Sequence, residues 1–367
     1  MKKRNLIILL SSSALVLLMV ILTFTTVKKS DCKYKSEKIE AAELTSLCFT
    51  KIKEYKIAHS ILLTEYDNLN SYLIGDSYTE ITTTMGSIES KRTSVNPNMA
   101  AVIIDMFKEA GIKKGDQIGA VFSGSFPAIN IAAMCAMQVF EAKTCIMAGI
   151  GASTYGANDP NFTFYDMAEY LYQEGVLKVR IDYVSMGGAN DTKDGFLDDV
   201  SLVEERIKTM NAEFISISDF TSNVEYREKA FKTILPNMKM LINVGGSLVS
   251  IGSSDEGFIE KTGLIMPNYL NIVKYRNKGK IGLIERCLEK GIPVIEMLNM
   301  KSISVDYEIP YDPSKIEDVG QGNVYTENHY IWAFPVIAGV VFIGLCVYFL
   351  VDRIKDNKNK KIDCKKE

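Results

Sequence analysis

The chain predicts an α/β domain on a mostly parallel, doubly wound (Rossmann-like) sheet, flanked by two transmembrane helices. Three observations predict it. Short apolar β-type runs alternate with amphipathic helical segments through the middle of the 367 residues. The runs are too apolar to leave one sheet face in water. Two uncharged stretches, Leu6–Val27 and Ile331–Val351, stand at the ends, each just over 20 residues. That length lets a helix cross a hydrocarbon core about 30 Å thick.

The first stretch follows Met1-Lys2-Lys3-Arg4, and the second precedes a tail, 352–367, with seven Lys/Arg against four acidic residues. Basic flanks favour the cytoplasmic side, so both termini are expected inside and the middle outside, with Tyr325, Tyr330 and Trp332 as an interfacial belt. The expected layout is a cytoplasmic 1–5, a signal-anchor span over 6–27, a juxtamembrane helical segment over 28–73, the α/β domain over 74–300, a linker over 301–330, a second span over 331–351 and a cytoplasmic tail. No small-x-small cleavage site precedes Lys28, which argues against a removed signal peptide. The near-neutral total hides an acidic middle: Lys28–Tyr330 carries 32 Lys/Arg against 41 Asp/Glu. No nucleic-acid partner is expected, and any polyanion has to be met locally, in a cleft.

Within the middle, Glu37–Leu73 repeats apolar residues at helical spacing (Ile39, Leu44, Leu47, Ile52, Tyr55, Leu62), with His59 as a structural residue. A Thr/Ser-rich irregular segment follows, then a helix over Asn98–Ala110 that Gly111 ends. Strands are expected at Gln117–Phe122, Lys143–Ala148, Val179–Val184, Phe214–Ile217, Met238–Val244 and Pro293–Leu298. Helices fall between most of them, at Pro127–Phe140, Phe164–Glu174, Leu202–Met210, Val224–Ile234 and Gly282–Lys290. Cys135 and Cys145 read as core thiols, while the pairing of Cys32, Cys48 and Cys287 is not legible. With no CxxC and only His59 and His329, no structural metal is expected.

Ligands of such sheets bind beyond the carboxyl ends of the strands. Here those ends are rich in Gly and Ser: Ser123-Gly124-Ser125, Gly149-Ile-Gly-Ala-Ser153 and Gly245-Gly246-Ser247. Pro127 suits the first helical turn and Ser125 its N-cap, so the amides near Phe126 face a carboxylate, phosphate or oxyanion. Lys91 and Arg92 beside a Thr run read either as a solvated loop or as an anion clamp. Asn158 and Asp159, in Asn158-Asp-Pro-Asn161, form a turn that also suits a site loop. Asp191, Asp194, Asp198 and Asp199 around Gly195 lack EF-hand spacing and read as surface. There is no GxSxG elbow and no His placed for a triad, which leaves Ser125 or Ser123 with Lys91 as the conceivable nucleophile and base. A third glycine and a Walker A motif are both missing, so no nucleotide cofactor is expected.

Thr82-Thr-Thr-Met-Gly-Ser-Ile-Glu-Ser-Lys-Arg-Thr-Ser-Val-Asn-Pro97, Ser123-Gly-Ser-Phe-Pro127 and Gly151-Ala-Ser-Thr-Tyr-Gly-Ala-Asn-Asp-Pro-Asn-Phe-Thr-Phe-Tyr-Asp-Met167 together resemble the signature of the poly-gamma-glutamate system protein family. The likeness runs over most of Ile74–Leu298; Ser90 and Val95 depart from the more usual Ala and Thr. The resemblance implies a bacterial apparatus that makes or exports poly-gamma-glutamate at the cell envelope, with its other subunits as partners. It supplies no catalytic residues. Three functions stay open: an accessory component whose outer domain contacts polymer or partner subunits, a Ser-dependent hydrolase or acyl transferase acting on gamma-glutamyl linkages, and a scaffold for synthase subunits.

Overall fold

The computed structural model of the chain describes residues 3–192, 195–196, 198–253, 261–271 and 279–363. In chain order its elements begin with α1 (Lys3–Thr25), β1 (Lys28–Asp31), α2 (Lys35–Ala58), β2 (Thr82–Thr84), α3 (Ile88–Ser94), α4 (Met99–Glu109), β3 (Gln117–Ser123) and α5 (Pro127–Val139). They continue with β4 (Lys143–Gly149), β5 (Ala152–Ser153), α6 (Phe164–Gln173), β6 (Tyr183–Ser185), α7 (Ser201–Ile207), β7 (Glu213–Ile215), α8 (Phe220–Ile234) and β8 (Met238–Val244). The last are α9 (Leu248–Ile251), β9 (Gly263–Ile265), α10 (Leu283–Glu289), β10 (Val294–Met297), α11 (Met300–Asp306), β11 (Thr326–His329) and α12 (Ala333–Asp363).

These form two compact units. One joins the chain ends, residues 1–32 and 326–367. Its helices run antiparallel: Asn5 donates to Asp352 at 2.6 Å near one end, and Phe24 meets Tyr330 edge-on near the other. β1 and β11 pair antiparallel, Lys28 opposite His329. Arg4–Thr25 and Ala333–Lys355, with mean hydropathies of 2.7 and 2.6, are long and apolar enough to cross a membrane, which fits a two-pass protein.

The other unit, Lys33–Tyr325, is a mixed α/β body on a seven-stranded sheet of order β7-β6-β4-β3-β8-β10-β9. Every pair is parallel except β10 with β9. Side chains alternate with the strand period of two. Ala120, Phe122, Ile146, Ala148, Ile242 and Val244 pack on one core; Val121, Cys145, Met147 and Leu241 pack on another. Helices therefore seal both faces, α2, α4, α5 and α6 over the first core and α8 and α10 over the second. A small parallel ribbon, β2 with β5, lies apart from the sheet.

The sequence expectation is too long for the first helix. Helix α2 stops at Ala58, and Leu62, expected on its apolar face, is exposed. Beyond it, Ser60, Asn70 and Tyr72 take positive φ, and the Asp67 carboxylate accepts from the amides of Ser71 and Tyr72, which holds the chain in turns. Strand β6 starts later than expected, at Tyr183. Of the acidic run, Asp191 is buried, Asp198 accepts from the Tyr78 hydroxyl, and Asp194 lies outside the described residues. Cys135 and Cys145 are buried as expected, and the Cys135 thiol touches that of Cys48 at 3.8 Å.

Of the residues expected to form a linker, 301–325 belong to the same body as the sheet, and 326–330 belong to the unit of the chain ends. Tyr325 is buried and donates to Asn98 Oδ1 at 2.6 Å, while Asn98 Nδ2 donates to the carbonyl of Asp318 at 3.2 Å. Asn98 thus clamps the returning chain to the start of α4. Asn98→Ala should lower the unfolding free energy by about 1–3 kcal/mol, because it removes the buried hydrogen bonds to Tyr325 and to the Asp318 carbonyl. Limited proteolysis should cut first within 316–325; an unchanged cleavage pattern would refute the clamp.

Candidate functional site

The strand order places the site. From β3 the chain winds outward through β4, β6 and β7, then returns to β8 on the other side of β3. The turns after β3 and β8 diverge there, and a cleft opens beyond the carboxyl edge, where such sheets bind ligands. It has a volume of about 280 Å³ and is lined by Ser123, Ser125, Phe126, Lys91, Ser153, Gly245, Gly246 and Ser247, among others. Thr83–Ser87 and Gly187–Ala189 complete the wall, and Asn243 and Val244 from β8 also line it.

Hydrogen bonds fix each turn. Ser123 Oγ accepts from the amide of Ser125 at 3.0 Å, and the Ser123 carbonyl accepts from Asn130 Nδ2 at 2.8 Å. Helix α5 opens on Phe126 with Pro127 in its first turn. Ser125 does not cap it: its hydroxyl accepts from the amide of Ser153 at 3.0 Å, which ties the β3 turn to β5. The first-turn amides of α5 after Pro127, which has no N–H, have no partners within the helix, and such donors suit anions or polarised oxygens. Gly245 has a φ of +107°, and a Cβ there would lie 2.6 Å from Ser123 Oγ, so only glycine lets the two turns approach.

Lys91, expected as a base or as part of an anion clamp, reaches the cleft. It projects from α3 into the interior and is 2% exposed. Its Nζ donates to the carbonyl of Ser125 and, at 2.8 Å, to Ser153 Oγ; it lies 3.8 Å from the centroid of the Phe126 ring. Among the described residues no carboxylate pairs with it. Burial alone pushes its pKa down to about 7. Gly86 makes room: a Cβ there would lie 2.8 Å from Ser153 Oγ.

The cleft's other charged lining residue, Asp191, is buried against the guanidinium of Arg227, itself 1% exposed and bonded through Nε to Asn223 Oδ1 at 2.9 Å. Behind the β8 turn, Asn243 Nδ2 donates to the Gly245 carbonyl and to Glu296 Oε2, both at 2.8 Å. Glu296 is buried on β10, and its Oε1 has no partner among the described residues. Burial raises its pKa well above the usual carboxylate range, which favours the protonated acid, and its Oε2 braces Asn243.

The structure thus brings together Ser123, Ser125, Phe126, Lys91, Ser153, Gly245, Gly246 and Ser247, with Gly124 inside the β3 turn. It leaves out three expected ligand residues. Arg92 pairs with Asp312 at 2.5 Å. Buried Asn158 bonds the backbone of Asp76 through both ends of its amide. Asp159 accepts from the amide of Asn161 within its own turn. The pairing of Lys91 with Ser153 spans 62 positions and has no signal in the sequence. Asn243 and Glu296 did have one: each is a polar residue inside an otherwise apolar strand.

Compared with known proteins, the chain matches no protein family, no curated protein and no solved structure.

The bracing acid makes stability depend on pH. Below the ordinary Glu pKa of about 4.3, Glu296 is protonated in both folded and unfolded chains and contributes no pH dependence. Above it the unfolded chain ionises while the folded one stays neutral, so stability falls as pH rises toward the raised folded pKa. Glu296→Gln should therefore gain stability over the parent increasingly as pH rises above the ordinary Glu pKa of about 4.3. Urea unfolding across that range checks it; parallel curves for parent and variant would refute a neutral Glu296.

Proposed function

We propose that the chain is a membrane-anchored component of a bacterial poly-gamma-glutamate synthesis or export apparatus. Both termini would lie in the cytoplasm, the Lys33–Tyr325 unit outside, and the cleft would receive a gamma-glutamyl segment. The two apolar helices support the anchoring, and the sequence resemblance supports the system. On a doubly wound, Rossmann-like reading of the mostly parallel sheet, a ligand site would lie at the strand-order reversal.

The observation that carries the reading is electrical. The segment 28–330 is acidic, yet the cleft is not. Lys91 and Asp191 are its only charged lining residues among those described, and Arg227 neutralises Asp191. The rest of the lining mixes serine and threonine hydroxyls and glycine backbone with apolar side chains such as Met85, Phe126 and Leu298. Such a site accepts a chain that bears carboxylates without repelling it at close range. Arg92, turned to Asp312, is not part of a clamp.

A second reading, acyl transfer or hydrolysis at gamma-glutamyl linkages, is favoured by one contact, that of Lys91 with Ser153. A purely architectural role leaves that contact and the cleft unused.

The binding reading is tested with a cleft-filling variant. A Cβ on Gly246 would meet only the Leu298 side chain, at 3.6 Å or more, so Gly246→Phe enters the cleft without backbone strain. The full-length protein in detergent should bind a gamma-linked glutamate oligomer, measured by calorimetry, and Gly246→Phe should weaken this at least about tenfold, about 1.4 kcal/mol. Equal binding by the variant, or none by the parent, would overturn the proposal.

A further inference from the structure

The geometry points to Ser153 as the nucleophile and Lys91 as the general base of an acyl-transfer centre, acting on the carbonyl carbon of an amide or ester lying in the cleft. The substrate class, a gamma-linked glutamyl amide, rests on the binding reading above; the dyad itself does not.

Binding alone does not call for this arrangement. Lys91 Nζ is 2.8 Å from Ser153 Oγ, within reach for proton transfer. A neutral amine can donate one N–H to the Ser125 carbonyl and still offer its lone pair to the Ser153 hydroxyl, reversing the direction of that hydrogen bond. Ser125 presents its carbonyl to Lys91, while its hydroxyl accepts from the Ser153 amide, so it positions both members of the pair. Ser153 is further held by the pairing of β5 with β2, and it lines the cleft.

Among the described residues, nothing charged faces the amine. On its own helix, Glu89 bonds to Ser87 and Arg92 pairs with Asp312, both at the surface. The opening of α5, the end of β5 and the Gly86 turn bring only hydroxyls, carbonyls and the Phe126 ring. Burial lowers the amine's pKa to about 7, which leaves a large neutral fraction at physiological pH. That is the condition for a lysine to act as base.

The step balances without a co-reactant other than water. Ser153 Oγ attacks the carbonyl carbon and its proton passes to Lys91 Nζ. The oxyanion is received by the free amides opening α5. The C–N bond breaks, Lys91 returns the proton to the leaving amine, and an ester on Ser153 remains. Water, or the amine of another chain, then attacks the ester; Lys91 takes the proton and passes it to Ser153 as the ester C–O bond breaks.

The test uses the full-length protein in detergent with two probes. The first is p-nitrophenyl butyrate, a small activated ester that needs no polymer site. Peptide mapping of the parent protein should find the butyryl group on Ser153. The acylation rate should rise with pH through about 7 and level off above it, since the neutral amine is the active form. Lys91→Met should slow acylation by about 10²- to 10⁴-fold, and Ser153→Ala should abolish it with an unchanged circular dichroism spectrum. The second probe is the gamma-linked glutamate oligomer, followed by chain length. Acylation at Ser153 without oligomer binding leaves the dyad standing and overturns the binding reading. Oligomer binding without an adduct on Ser153, an adduct on Ser123 or Ser125 instead, or a rate with no inflection near pH 7 overturns the dyad.

Discussion

Helices seal both faces of the seven-stranded sheet, and the rest of the body follows from that. Strands β3, β4 and β8 send alternate side chains into two separate apolar cores, so the sheet has no wet face on which polar groups could gather. The polar side chains at its centre, Asn243 and Glu296, are joined by a cross-strand contact, with Glu296 Oε1 left unpartnered among the described residues. Unpaired donors have one place left, the carboxyl edge, where the chain leaves the sheet and reverses its winding between β3 and β8. The cleft is therefore a consequence of topology first. The glycines and serines of its turns are the residues that let two backbones and several hydroxyls crowd there.

Lys91 is set against that background. Lowering a lysine from its ordinary pKa of about 10.4 to about 7 means that its charged form is disfavoured by roughly 5 kcal/mol. The acidic segment around it could easily have supplied a carboxylate, yet none pairs with Lys91 among the described residues. Lys38 shows the ordinary solution elsewhere in the same body: equally buried, it meets Asp105 at 2.5 Å. A buried amine without an acid is a poor structural tie, because well-packed apolar groups are at least as stable in such positions. A base is what the arrangement suits.

How much of this was legible in the sequence depended on the range of the interaction. Strand β8 was placed to the residue and α5 to within one, because β-type runs and amphipathic periodicity are local. The two apolar helices were legible for the same reason. The overlong first helix arose where Asp67 captures backbone amides four and five residues away, a turn that competes with helix without disturbing the apolar spacing. The serine and glycine turns pointed to the cleft, since the fold class says where ligands bind. Which serine meets Lys91 was hidden: it depends on β5 ending beside the start of α5, and no local pattern encodes that juxtaposition. Arg92 misled because adjacent residues on a helix point about 100° apart, so Lys91 and Arg92 could not share one cleft.

The contrast between an acidic segment and an electrically quiet cleft bears on how a polyanion would arrive. Screening at physiological salt confines charge repulsion to about 8 Å, so a free anionic chain approaching from solution meets repulsion at the acidic surface and relief only inside the cleft. Such a site is badly built for capture at a distance and well suited to a chain handed over at short range. Two membrane spans, where one would anchor, fit that requirement on the proposed reading. They would hold the body at the membrane surface, where an emerging polymer first leaves its synthase. A hydrolytic or transfer centre so placed would act on chains as they emerge, ahead of any released into bulk solution.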